Sequence, residues 1–175
     1  MGQRLRRALL LIPSSVAFFI VVPIITFYFG GLLDENLMPE IVAWPGVGTA
    51  VGAFLLLVGG FFVLESIRAL LVKGNGVPLG DLIPSDQTEA LVVEGVYSMT
   101  RNPMLFGYLL ALSGGGLLLR SFSAAFVAPL LYAALWTAWI KGREEPAMEE
   151  RFGDEYRRYR EETPFLIPRL LPRES

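Results

Sequence analysis

The chain of 175 residues contains no cysteine and no histidine. Without thiols there are no disulfides, no thiolate nucleophile and no cysteine ligands for zinc or an iron–sulfur cluster. Without imidazole there is no histidine-ligated haem, no Ser-His-Asp triad and no side-chain base that titrates near neutral pH when unperturbed. Charge is scarce too. Asp, Glu, Lys and Arg together make up 18% of the residues, and the net charge is −2. A basic footprint for nucleic acid is therefore missing. Chemistry in this chain has to run on carboxylates, tyrosine, arginine, lysine, backbone groups or a bound cofactor.

What the chain has in abundance is apolar surface. Hydrophobic residues make up 53% of it and the mean hydropathy is +0.50, outside the usual soluble range. The apolar residues also come in blocks, not at an amphipathic period. The expected class is all-α: a polytopic membrane protein of about four transmembrane helices, one domain by length. Two N-terminal spans are expected over residues 1–72, a cytoplasmic loop over 73–103, a helical hairpin over 104–140 and a cytoplasmic tail over 141–175.

Arg4, Arg6 and Arg7 precede an apolar run from Ala8 to Leu33. That run is too long for the core of a signal peptide, and no small-residue cleavage site ends it, so it reads as a first membrane helix kinked at Pro23. Asp34, Glu35 and Glu40 predict an acidic loop, with Trp44 at the interface. The run from Pro45 to Val72 is long enough to cross a bilayer, and its glycines allow close helix approach. Glu65 and Arg68 are spaced to pair on one helix face. Between Lys73 and Pro103 the glycines and prolines exclude a continuous helix, and Leu91-Val92-Val93 suits a short extended piece. Met104–Leu119 and Phe122–Ile140 predict a hairpin turning near Arg120-Ser121, its first arm weakened at its end by Gly114-Gly115-Gly116. Fourteen of the 15 basic residues fall on one side of a four-span arrangement, Arg120 being the exception. The positive-inside rule then places both termini in the cytoplasm.

Two polar motifs flank the hairpin. The first is Glu94-Gly95-Val96-Tyr97, continuing through Arg101-Asn102-Pro103-Met104 to Gly107; the second is Glu144-Glu145, followed by Phe152-Gly153, Tyr156 and Tyr159. Pro103 in the first turn with Asn102 at the cap makes a sound helix start without any ligand. Such a start also receives an anionic group. Glu144 and Glu145, followed by Glu149, Glu150, Asp154 and Glu155, read equally as a solvated acidic helix end. Met148, Phe152, Tyr156 and Tyr159 fall at i, i+4, i+8 and i+11, one apolar stripe if a single helix carries them. Pro146 disfavours a helical Glu145, so a kink or helix restart is expected there.

The ordered series resembles the isoprenylcysteine carboxyl methyltransferase and phospholipid methyltransferase superfamily of integral membrane methyltransferases. The resemblance covers roughly Lys73 to the C-terminus. Asn102 stands where that family often has His, Leu105 where Tyr is common, and Pro146 departs from the usual residue. Pro164-Phe165-Leu166-Ile167-Pro168-Arg169 is similar to the family's closing segment only loosely, and an interfacial apolar tail fits it as well. The resemblance implies S-adenosylmethionine as cofactor, bound in a cytoplasmic cofactor pocket and held by Val92, Gly95, Tyr97, Arg101, Asn102, Pro103, Gly107, Glu144 and Glu145. Arg101, Glu144 and Glu145 are the implied catalytic residues. It further implies a lipophilic substrate in the lipid bilayer, with neither metal nor nucleic acid as partner, and a bacterial inner-membrane location. Replacing Arg101, Glu144 or Glu145 by Gln is expected to weaken cofactor binding and to leave folding intact. A non-catalytic membrane scaffold that keeps the fold is the alternative. A transporter or channel is disfavoured, because no predicted span carries an ionisable residue at its middle.

Overall fold

The computed structural model describes residues 20–37, 45–73 and 90–169, and all regular structure among them is helical. In chain order these are α1 (Val22–Leu37), α2 (Pro45–Val72), the single turn α3 (Val96–Met99), α4 (Pro103–Leu118), α5 (Ser123–Phe152) and α6 (Asp154–Glu162). The N-terminal arginines, Glu40, Trp44 and the glycine-rich part of the long loop lie outside the described residues. Two helices, Gly46–Val72 and Ser123–Phe152, are long and apolar enough to cross a membrane, and only 17% and 28% of their most apolar windows are buried. Helices so apolar and so little covered by protein are unlike the core helices of a soluble domain. Leu57, Leu64, Leu130 and Leu135 stand among their exposed side chains.

The chain divides into two compact units, Met1–Leu57 with Leu110–Leu131, and Val58–Leu109 with Tyr132–Ser175. In the first unit the helices meet at small residues. A Cβ on Gly114 would sit 2.6 Å from the carbonyl oxygen of Gly52, one on Gly115 2.6 Å from the ring of Phe27, and one on Gly116 against the backbone of Ala125. Successive residues on a helix point about 100° apart. The three glycines therefore let α2, α1 and α5 approach α4 from three sides. The triplet does not weaken the arm, which stays helical to Leu118. Without a hydrophobic force between helices in lipid, close backbone approach of this kind is a main source of association.

Asp34 and Glu35, expected in an acidic loop, are helical residues of α1. Asp34 explains the extra turn. Its Oδ1 accepts the backbone N–H of Ser123 at 2.9 Å, so a carboxylate on α1 caps the start of α5. Ser121 Oγ accepts the N–H of Ala124 in the same first turn, and the preceding Arg120 takes a positive φ of 58° to reverse the chain. Orphan N–H groups at a helix start need such acceptors.

Proline shapes α5 twice, and neither time by breaking it. The helix widens into a π turn at Ser123–Val127, two residues before Pro129, and again at Ile140–Glu144, two residues before Pro146. A proline has no N–H to donate, and its ring clashes with the carbonyl four residues back. Shifting the preceding bonds to i−5, as Glu145 N–H does to Ile140, accommodates both problems. Glu145 keeps helical angles of φ −59° and ψ −43°. The kink or restart expected at Pro146 is thus a π turn within one continuous helix.

The helix does stop at Gly153, whose φ of 55° and ψ of −127° suit glycine alone. Gly95, ahead of α3, has nearly the same angles, 64° and −129°. The stripe from Met148 to Tyr159 is therefore split between α5 and α6. Tyr156 and Tyr159 are buried, while Met148 and Phe152 are partly exposed. In the second unit, Gly107 on α4 meets Gly59 and Phe62 on α2, and Phe62 and Phe106 pack edge to face at 5.0 Å.

Candidate functional site

The two polar motifs meet within the second unit. Positive φ at Gly95 starts the single turn α3, Thr100 is extended, and α4 begins at Pro103. Arg101 is thereby held between two helices, not on one. Its Nη1 donates to Glu145 Oε1 at 2.6 Å, with the two side chains only 11% and 13% exposed. The ion pair joins residues 44 positions apart and is the direct link between the motifs. Arg101 Nε is buried and has no acceptor in the protein.

Aromatic side chains surround the pair. Tyr156 lies within electrostatic reach of Arg101, and burial, reinforced by the negative charge of Glu145, pushes its phenol up to about 12. It is therefore a neutral group at any physiological pH. Tyr159 is more deeply buried, which raises its phenol further; its hydroxyl donates to the Tyr97 carbonyl at 2.7 Å and ties α6 to α3. The ring of Phe165 contacts two cations, the Arg101 guanidinium at 5.6 Å and the Lys141 ammonium at 5.0 Å. Contacts at these distances are attractive through the ring quadrupole.

Of the residues singled out in sequence, Arg101, Glu145 and the neighbouring Glu144 come together, and the charge of Glu144 also acts on Tyr156. Val92 is buried, without a strand ladder around it. Tyr97 contributes its carbonyl to Tyr159. Asn102 donates its side-chain N–H to the carbonyl of Phe165 at 2.8 Å, and Pro103 is fully buried at the start of α4. Gly107 is turned toward α2, where its hydrogen sits against the Gly59 carbonyl. Its immediate role is helix packing. Glu94, at the end of the long loop, pairs with Lys73 at its beginning, and that hydrogen bond holds its carboxyl below the usual range. Among the described residues there is no cluster of carboxylates suited to a metal ion.

Thr100, Tyr156 and Phe165 complete this arrangement and were not among the expected site residues. Tyr156 had a signal, its place in the second motif. A single threonine before Arg101 had none.

The arrangement offers a buried guanidinium with one unused donor, two adjacent carboxylates and a neutral phenol. It is suited to hold a small zwitterion, whose carboxylate would take the arginine donor and whose ammonium would take a glutamate oxygen. Comparison with known proteins shows the family. Residues 47–155 match the phospholipid methyltransferase family, a stretch that includes both partners of the ion pair. Protein-S-isoprenylcysteine O-methyltransferase of Schizosaccharomyces pombe is 33% identical over 119 residues, covering 65% of this chain and 48% of that protein. The chain thus spans about half the length of this curated relative. With the match extending over more than half of its own length, the chain belongs to the phospholipid methyltransferase family.

Proposed function

We propose that this protein is an integral membrane methyltransferase that uses S-adenosylmethionine and acts on a lipophilic or membrane-associated acceptor. The observation that carries the reading is the buried Arg101–Glu145 pair, which unites the two motifs and leaves Arg101 Nε without an acceptor. That unused donor fits the methionine carboxylate. When bound, S-adenosylmethionine would supply a methyl group on a positively charged sulfur, open to in-line attack by a nucleophile.

The chain's own contribution is placement. Arg101 fixes one end of the methionine moiety, and the carboxylates of Glu144 and Glu145 take the ammonium. Tyr156 remains protonated beside them and adds no charge of its own. Binding energy spent on position converts the reaction into an effectively intramolecular one. A carboxylate acceptor, such as a prenylated cysteine terminus, needs no base. An amine acceptor must lose a proton, and Glu144 or Glu145 is the group to receive it. Four spans with both termini in the cytoplasm are part of this proposal, supported by the two long apolar helices and by the one-sided basic residues.

Reconstitution in liposomes with methyl-labelled S-adenosylmethionine tests the reading. Label is expected in the organic extract when either a prenylated cysteine peptide or an aminophospholipid is supplied, and the Arg101→Gln variant should transfer at least tenfold less. A wild-type chain that labels neither class of acceptor would contradict it.

A further inference from the structure

Three consecutive residues of the first motif grip three consecutive carbonyls near the C-terminus. Arg101 N–H donates to Pro164 O at 2.9 Å, Asn102 Nδ2 to Phe165 O at 2.8 Å, and Thr100 Oγ1 to Leu166 O at 3.0 Å. A fourth bond runs the other way, from Arg169 N–H to Met99 O at 2.9 Å. Thr100 stands at the centre. Its side chain is completely buried, its hydroxyl also lies within 3.1 Å of Phe165 O, and it accepts the N–H of Asn102 at 3.3 Å. One hydroxyl thus links both strands of the contact.

The segment sits directly on Arg101. Its Phe165 ring covers the guanidinium while its Pro164 carbonyl holds the backbone of the same residue. An arginine side chain loses much rotamer freedom when ordered, and its pairing with Glu145 depends on where its backbone is held. The segment also lies beyond the residues that match the family, which end at 155. We infer that Pro164–Arg169 is a strap that positions Arg101 for its ion pair, and that Thr100 is the positioning residue that fastens it. Its consequence for cofactor binding rests on the function proposed above; its action on Arg101 does not.

Two readouts separate the two. The first needs no cofactor: the Arg101 Nε–H resonance in nuclear magnetic resonance, assigned by its loss in Arg101→Lys, and its exchange with water. Thr100→Val is expected to speed that exchange at least tenfold, whereas Thr100→Ser, which keeps the hydroxyl, should restore it. The second is calorimetric affinity for S-adenosylhomocysteine, expected to fall at least tenfold in Thr100→Val and to recover in Thr100→Ser. Ser66→Ala is the control. It removes another buried hydroxyl, bonded to Phe62 O, and should lower the melting temperature with neither readout changed. In the wild-type chain, the amides of Arg101 and Arg169 should exchange with deuterium at one common rate, a measurement that stands even where Thr100→Val fails to fold. Unchanged Arg101 exchange in a folded Thr100→Val, or unrelated amide rates in the wild type, would overturn the strap. A wild-type chain that takes up no S-adenosylhomocysteine would overturn the proposed function instead, and the Arg101 exchange would still decide the strap.

Discussion

Replacing either member of the Arg101–Glu145 pair alone is expected to destabilise the protein by about 3 kcal/mol or more, and replacing both by an apolar pair to cost far less. Both side chains are close to nine-tenths buried. Their mutual attraction was set against the desolvation of each, so the pair as a whole contributes little net stability. A single change is different, because it leaves the other charge buried and uncompensated. Arg101→Gln and Glu145→Gln should therefore each lower resistance to denaturing detergent, while Arg101→Met combined with Glu145→Leu should lie near the wild type. This departs from what the sequence alone leads one to expect, namely loss of ligand affinity with folding untouched. The two carboxylates of the second motif are not equivalent surface acids, since one of them is half of a buried ion pair. Single and double variants of equal stability would show that the pair is solvated after all.

The second large effect is expected at Gly107. A Cβ there would lie 2.6 Å from Gly59 O and 3.0 Å from Val63 N, both backbone atoms, and 2.8 Å from the Cβ of Phe62. None of these can move aside by changing a rotamer. Gly107→Val must push α4 away from α2, and the cost is expected at or above the top of the roughly 1–3 kcal/mol range for overpacking. A Cβ added to Gly60, on the same helix as Gly59, would meet nothing within 4 Å, so Gly60→Ala should be close to neutral. Thermal unfolding in detergent micelles reads both. A Gly107→Val protein that unfolds like the wild type but fails to bind cofactor would place this glycine in the pocket and not in the helix contact.

Several elements of the fold were legible in the chain. α2 begins and ends where its apolar run does, at Pro45 and Val72, because a membrane-length block bounded by proline and lysine has one helical solution. The hairpin turn near Arg120 was visible for a similar reason. Other features depend on contacts that periodicity does not carry. Asp34 looks like a loop acid until the N–H of Ser123 is set beside it. Pro146 looks like a break until a π turn shifts the bonds ahead of it. Gly114-Gly115-Gly116 looks like a weak helix end until each residue is given its own neighbour.

The candidate site was legible to about the same depth. The sequence pointed to Arg101 and Glu145 in two separate motifs, and the fold joins them. What it did not reveal is the division of labour within the first motif. Asn102 and Thr100 spend their polar groups on the C-terminal segment, and Gly107 spends its missing side chain on α2. Residues adjacent in a motif thus serve three purposes, and only a structure separates them.

Calorimetric titration of the purified chain with S-adenosylhomocysteine tests the central claim, that the two motifs build one cofactor site. One binding event per chain is expected. Folded Arg101→Gln and Glu145→Gln should bind about tenfold to a hundredfold more weakly, the loss expected of one charge-assisted contact, and Glu150→Gln, an exposed acid on the same helix, should bind as the wild type does. No heat of binding to the wild type, or an Arg101→Gln titration that overlays that of Glu150→Gln, would contradict it.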